Sequence, residues 1–456
     1  MTGRAWLGLV LVILVCAAGA ATWLRCEGEN PVLRGPEQLH IGRAPQQIGV
    51  DAIDEGSGLR QLELRLAQGD SVRTLGSRSI PGSLAMGGMR GATERIEATI
   101  DAKAAGLREG EARLIADASD WSWSGWLSGN AATLEIPITI DLTRPRLSVE
   151  TGLTYVQRGG AGAVVYRSPE PLARDGVQVA DDFFPARPFP GDPKRRVVLF
   201  AIPRDVEPSP RIKALAVDHA GNEASAGWPV NLKERKFDDV RIELSSAFLE
   251  SKVRELAEDV EVDEDDPIKA FQIINRDVRA ANEKQIREII AKSGDEPLFD
   301  GAFVQMRNSA VTSRFAEHRS YHHAGEKVSE AIHFGYDLAS TAGAPIEASN
   351  RGRVLFAGPL GIYGNCVILD HGLGLTSLYG HLSQIEVAEG DLVEKSGTLG
   401  RSGATGLAGG DHLHFAILVG DAYVDPTEWW DPKWVREKVT SRLGGGDATD
   451  TASAEP

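Results

Sequence analysis

At 456 residues the chain is too long for one hydrophobic core, and it predicts about three domains plus a membrane or targeting element. Apolar residues make up 42% of it and aromatic residues 6%, which suffices for globular domains. The formal charge of −16 excludes nucleic acid as a partner held by bulk electrostatics.

Residues Ala5 to Leu24 carry no charge and are dominated by Leu, Val, Ile and Ala. As a helix the run is about 30 Å long, the thickness of a hydrocarbon core, with Trp6 and Trp23 near its ends. Ala18-Gly19-Ala20 offers a signal-peptide cleavage site. The run exceeds the usual signal core of about 7–15 residues, so residues 1–27 read as a retained transmembrane anchor rather than a cleaved signal peptide. Val15 makes Cys16 a poor lipoprotein acceptor. The expected location is the inner (cytoplasmic) membrane, single-pass, with the bulk of the chain exported to the periplasm or cell-wall space. Three cysteines, Cys16, Cys26 and Cys366, cannot form a disulfide framework, and Cys366 reads as a small buried hydrophobe.

The overall pattern is mainly β. From about residue 28 to 235, short strand-like runs alternate with Gly, Pro, Asp and Asn. Gln61-Leu-Glu-Leu-Arg-Leu66 and Thr133-Leu-Glu-Ile-Pro-Ile-Thr-Ile140 both show period-two alternation. Ala112-Arg-Leu-Ile-Ala-Asp117 and Ala214-Leu-Ala-Val-Asp218 are each followed by a polar turn and another strand-like run, a loose internal repeat. Such a unit resembles a bacterial immunoglobulin-type sandwich, in which a strand ending in Asp-x-x-Gly-Asn turns into the last strand. The second copy has that turn at Asp218 to Asn222, and the first copy is read as lacking its Gly-Asn. With the boundary near Pro145, two immunoglobulin-like β-sandwich domains are expected at 28–143 and 144–236. They serve as a stalk, with surfaces for envelope protein partners.

Residues 237–300 change character. Val253, Leu256 and Val260 are helically spaced, and an acidic run, Glu261 to Asp266, follows. Asp266-Pro267 then opens a second helix with apolar Ile268, Phe271, Ile274, Val278, Ala281, Ile286 and Ile289. A helical hairpin is expected, packed on the neighbouring domain or lying as a lid over its cleft. From 301 to 435 strands return, at Gly352 to Gly358, Cys366 to Leu369 and Leu375 to Tyr379. Residues 436–456 end in a small, acidic tail that is expected to be disordered.

Four of the ten histidines and one aspartate draw attention in this last third. His333 and Asp337 lie in His-Phe-Gly-Tyr-Asp, His381 in Tyr-Gly-His-Leu, and His412 and His414 in Asp-His-Leu-His-Phe. Imidazole and carboxylate are preferred ligands of a borderline divalent metal, and three of them with a vacant position make a hydrolytic site. On a strand His412 and His414 share one face, and His333, Gly335 and Asp337 share another, with Gly335 leaving room beneath a metal. The helical His-Glu-x-x-His motif is absent. His371 reads as structural, His322 and His323 as loop residues, and Trp429, Trp430 and Trp434 as packing.

These segments carry a resemblance. His333-x-Gly-x-Asp337, Gly364-Asn365-x-Val367, Tyr379-Gly-His381-Leu, Gly403-x-Thr405-Gly406 and Gly410-Asp-His412-Leu-His414-Phe follow the order and spacing of the lysostaphin-type, LytM-like M23 zinc metallopeptidases. The resemblance implies a β-sheet-rich peptidase domain, with His333, Asp337 and His414 holding Zn2+ and His381 and His412 as catalytic residues beside it. It also implies peptidoglycan peptides as substrate. The alternative is a non-catalytic LytM-like envelope protein that activates another wall hydrolase, which the complete set of five residues disfavours. The segment between Arg319 and His333 is longer than the simplest family pattern, so the residue bordering the groove ahead of His333 stays unassigned.

Overall fold

The computed structural model describes residues 3–444, and it is mainly β. The acidic tail, from residue 445 on, lies outside the described residues. The N-terminal segment forms a helix, Gly3–Arg25. Among the described residues, however, no helix is long and apolar enough to cross a membrane, so the expected transmembrane helix is not supported.

The chain divides into two compact units. The first comprises Met1–Pro145, Pro171–Ala173 and Val217–Ala224. Its five-stranded sheet runs in the order Leu39–Ile41, Ala131–Ile140, Gly110–Asp120, Leu59–Gln68, Ser71–Ser79. A three-stranded sheet of Val32–Arg34, Gln46–Ile53 and Thr93–Ile100 shares its core. The alternation read from sequence is what fills this core: Leu62, Leu64 and Leu66 point in from one strand, and Ile136, Ile138 and Ile140 from another.

Two turns of this unit repeat one hydrogen-bond pattern. Asp218 Oδ1 accepts from the backbone N–H groups of Ala220 (2.8 Å) and Asn222 (2.9 Å), and Asn222 Nδ2 donates to Asp218 Oδ2 (2.9 Å). Asp120 Oδ1 likewise accepts from Ser122 N (2.9 Å) and Asn130 N (2.7 Å), and Asn130 Nδ2 donates to Asp120 Oδ2 (2.9 Å). The first copy therefore does contain the Gly-Asn pair, as Gly129-Asn130. A longer loop displaces it, which is why matching the turn at fixed spacing misses it.

The second unit comprises Arg146–Glu170, Arg174–Ala216 and Ser225–Pro456. It opens with a sheet in the order Arg187–Phe189, Asp192–Ala201, Ala161–Arg167, Ser148–Val149. Two helical stretches follow, 246–259 and 267–290, each with a π-type turn inside. Ser245 caps the first by accepting from Phe248 N, and Asp266 caps the second ahead of Pro267. Leu249, Val253, Leu256, Phe271, Ile274, Ile286 and Ile289 form the buried stripe. Ala281 is exposed instead, and the stripe passes through Asn282. Asn282 Oδ1 accepts from Ile362 N at 2.9 Å, Gln272 Nε2 donates to Val328 O at 2.8 Å, and Tyr363 and Tyr423 donate to Glu283 at 2.7 and 2.9 Å. The helices are thus packed on the C-terminal domain by apolar contact and by polar anchors.

That domain is built on an eight-stranded sheet. Its site-bearing strands are β1 (Glu317–His323), β2 (Glu326–His333), β3 (Tyr336–Ala339), β4 (Asn365–Asp370), β5 (Leu375–Leu382) and β6 (Leu413–Val419). β3, β6, β5 and β4 are consecutive neighbours in the large sheet, while β1 and β2 form a separate hairpin with Asp239–Glu243. Trp429 is fully buried against Phe303 and Trp434, and Trp430 packs on Tyr336 and Phe415, so this cluster closes the domain. His371 is buried, with Nδ1 on Arg351 O and Nε2 on Ser377 Oγ, both at 2.7 Å, and burial pushes it down to about 4. The three cysteines are free.

Glu428 joins this domain to the strand Ala161–Arg167 by accepting from Ala161 N at 2.8 Å. Burial pushes its carboxyl up to about 8, against the opposing pull of that hydrogen bond. A carboxyl raised on folding favours the fold while protonated, so its contribution is complete below about 4.5 and disappears as pH rises through about 8. Glu428→Gln is expected to gain melting temperature relative to the parent between pH 5 and 9, measured by calorimetry. An unchanged difference across that range contradicts the assignment.

Candidate metal centre and active site

The site forms where β3 pairs with β6. Asp337 lies directly opposite His414, and Gly380 of β5 lies opposite His414 on the other side. Alternation sends Tyr336, Leu338, Leu413 and Phe415 to the opposite, core-facing side. His333 ends β2, and Asp337 lies on β3 beyond a bend at Phe334-Gly335. The expectation that 333, 335 and 337 share one strand face is thus corrected: two different strands deliver the pair. Gly335 does make room, for the His414 ring. A Cβ there would stand 2.6 Å from His414 Cε1 and 2.7 Å from Phe415 O.

Three donor atoms converge. His333 Nε2 lies 2.9 Å from Asp337 Oδ1 and 3.0 Å from His414 Nδ1, which lies 2.9 Å from Asp337 Oδ1. All three residues are buried. His333 Nδ1 donates to Arg314 O (3.0 Å), which fixes the tautomer and turns the Nε2 lone pair inward. His414 Nε2 is buried with no hydrogen-bond partner among the described residues. Arg319 Nη2 donates to Asp337 Oδ2 at 2.9 Å, leaving Oδ1 to face the two imidazoles. Burial alone would raise the Asp337 carboxyl, but His333 and His414 outweigh it and hold it well below the usual carboxylate range. Burial also pushes His414 down to about 4, so its ring is neutral at pH 7. Two imidazoles and one carboxylate, mutually about 3 Å apart, fit a single divalent ion of the zinc type.

His381 and His412 stand beside this triad, their ring centroids 4.8 Å apart, and His381 is 5.8 Å from His414. His381 Nδ1 donates to Thr405 O and His412 Nδ1 to Gly410 O, each at 2.8 Å, so Nε2 is the nitrogen left in each ring for the site, an acceptor in the neutral imidazole and a donor in the imidazolium. Burial, reinforced by His412 and His414, pushes His381 down to about 3. His381 has φ +65°, a left-handed conformation costing an ordinary side chain about 1–2 kcal/mol. Without that twist, strand alternation would send residues 380 and 381 to opposite faces. The glycines at 364 and 406 let the Thr405 loop dock, since a Cβ at Gly364 would meet Thr405 Oγ1 at 2.2 Å and one at Gly406 would meet Gly364 N at 2.3 Å. The carbonyl that orients His381 therefore depends on both.

The five predicted residues line one cavity of about 420 Å³, together with Arg319 and, from the helical segment, Phe248, Phe271 and Arg279. Packing and lining are the same fact here, because the helices dock firmly and form one wall of the cleft. His322 and His323 do not line it; His323 Nδ1 donates to Leu244 O. Arg319 and Arg279 were not singled out from sequence. Only the unusual length of the 319–333 segment hinted at the former.

Residues 331–426 match the family model described as Peptidase family M23. The DD-carboxypeptidase/endopeptidase Mpg of Neisseria meningitidis serogroup B is 39% identical over 95 residues, 21% of this chain and 22% of that protein. The peptidoglycan DD-endopeptidase ShyB of Vibrio cholerae is 34% identical over 115 residues, 25% of this chain and 26% of that protein. The match thus spans about a quarter of these relatives. The catalytic domain of lysostaphin from Staphylococcus simulans superposes with a TM-score of 0.24 at 27% identity, over 27% of this chain and 92% of that one.

Two substitutions test the local account. Gly335→Ala should weaken metal retention about 10–100-fold in chelator competition, with the fold intact by circular dichroism. At the strained position, His381→Gly should be more stable to urea than His381→Ala by about 1 kcal/mol, and equal stability would show that no strain is stored there. Residues 331–426 of this chain form an M23 peptidase domain.

Proposed function

We propose that the chain is a zinc metallo-endopeptidase that hydrolyses peptide bonds in peptidoglycan. The observation that carries the reading is the meeting of His333, Asp337 and His414 at about 3 Å, with two further imidazoles in the same cavity. The names of the matched relatives support peptidoglycan as the substrate class.

In this reading His333, Asp337 and His414 hold the metal. A zinc ion bound there supplies Lewis acidity toward the scissile carbonyl and toward water. Of His381 and His412, one starts as the neutral imidazole, accepts the proton of the attacking water through Nε2 and returns it to the leaving amine, and the other acts as an imidazolium whose Nε2–H donates to the developing oxyanion. Their backbone anchors, Thr405 O and Gly410 O, engage Nδ1 of each ring and leave Nε2 as the nitrogen that exchanges the proton. Arg319 orients Asp337 and balances its charge. We further propose that the chain works outside the cytoplasm, directed there by its apolar N-terminal segment, with the β-rich first unit as a stalk and as a surface for envelope partners.

The non-catalytic reading would leave an oriented pair, the buried His381 and the half-buried His412, without a task. His414→Ala should lose bound zinc by metal analysis. His381→Ala should keep zinc and lose about 10²–10⁴-fold of its activity on isolated peptidoglycan. Equal metal loss in both variants would overturn the division of roles. A zinc-loaded full chain that digests no peptidoglycan would favour the non-catalytic reading.

A further inference from the structure

The cleft has a wall that the M23 motif does not supply. Phe248, Phe271 and Arg279 line it from the helical segment, outside residues 331–426. Two guanidinium groups, those of Arg319 and Arg279, face the cavity. Arg319 is engaged with Asp337 (2.9 Å) and Glu317 (3.3 Å). Arg279 differs: its Nε donates to Asn275 O at 3.2 Å and its Nη2 to Asn275 Oδ1 at 2.8 Å, and among the described residues it makes no ion pair with a carboxylate.

Asn275 is almost fully buried, and its Nδ2 donates to Ser329 Oγ (2.8 Å) and Glu330 O (3.1 Å) of β2. The guanidinium is therefore tethered through a side chain that is itself fixed to the strand carrying His333. Glu243, the lining carboxylate outside the metal triad, is held by Gly325 N and Arg241. A planar cation with free N–H groups, preorganised on a cavity of about 420 Å³ beside two phenylalanine rings, is built for a carboxylate attached to an aliphatic chain.

We propose that Arg279 is a specificity-determining residue that binds a carboxylate of the peptide substrate. The Phe248 and Phe271 rings take the aliphatic part next to it. This rests on the peptidase reading above. The carboxylate is either the terminal one of a peptide strand or a side-chain one within it. The helical segment thereby selects the substrate for a site whose chemistry lies in the sheet.

The test uses the full chain and synthetic peptidoglycan stem peptides in three forms: free acid, C-terminal amide and side-chain amide. For the parent protein one of the amides should show kcat/KM lowered about 10–100-fold, mainly through KM, the worth of a charged hydrogen bond. Which amide does so identifies the source of the carboxylate. Arg279→Gln should lose most of the difference between that amide and the acid, and Arg279→Lys should recover part of it. Zinc content and melting temperature of each variant separate a recognition defect from a folding defect. Equal rates on acid and both amides, or a Gln variant that still discriminates, overturn the proposal. A parent chain that retains zinc and cleaves none of the peptides refutes the peptidase reading, and this proposal with it.

Discussion

Three donor atoms crowd into a space where each would repel the others or compete for one proton. His333 Nε2, Asp337 Oδ1 and His414 Nδ1 sit about 3 Å apart in a buried pocket, an arrangement a cation resolves. Much of the surrounding structure holds these atoms there. The β3–β6 register sets Asp337 against His414, Arg314 O fixes one imidazole, and Arg319 directs the second carboxylate oxygen away. Gly335 is the one residue type whose backbone passes under the His414 ring without a clash.

The helical segment extends the site beyond the sheet. Its apolar stripe packs like that of any amphipathic helix, but Gln272, Asn275, Asn282 and Glu283 interrupt that face with directed hydrogen bonds. Buried polar groups cost stability unless paired, and here each is paired to a defined backbone or side-chain atom of the peptidase domain. That pairing fixes the helices in one register against the cleft. A loosely greasy contact would allow sliding; this one positions Phe271 and Arg279.

Local pattern made much of this legible from sequence. Period-two alternation located the strands around Leu62 to Leu66 and Ile136 to Ile140, and the Asp266-Pro267 start located the second helix. The spacing of His333, Asp337, His381, His412 and His414 picked out residues that the fold brings into one cavity. What stayed hidden depends on tertiary neighbours. A five-residue motif cannot show that the chain bends at Gly335 and changes strand, nor that His381 adopts a positive φ to turn toward the site. Asn282 in an apolar stripe looks like an error in periodicity until Ile362 N is seen facing it. Arg319 and Arg279 look like ordinary surface cations in a linear reading, and the Gly129-Asn130 turn is hidden by its loop length.

X-ray absorption at the zinc edge of the purified full chain tests the central claim most directly. The account predicts about one zinc per chain, coordinated through nitrogen and oxygen at about 2.0–2.2 Å with no sulfur, and a changed spectrum in Asp337→Asn. Zinc bound through sulfur, or a spectrum indifferent to Asp337, would contradict it.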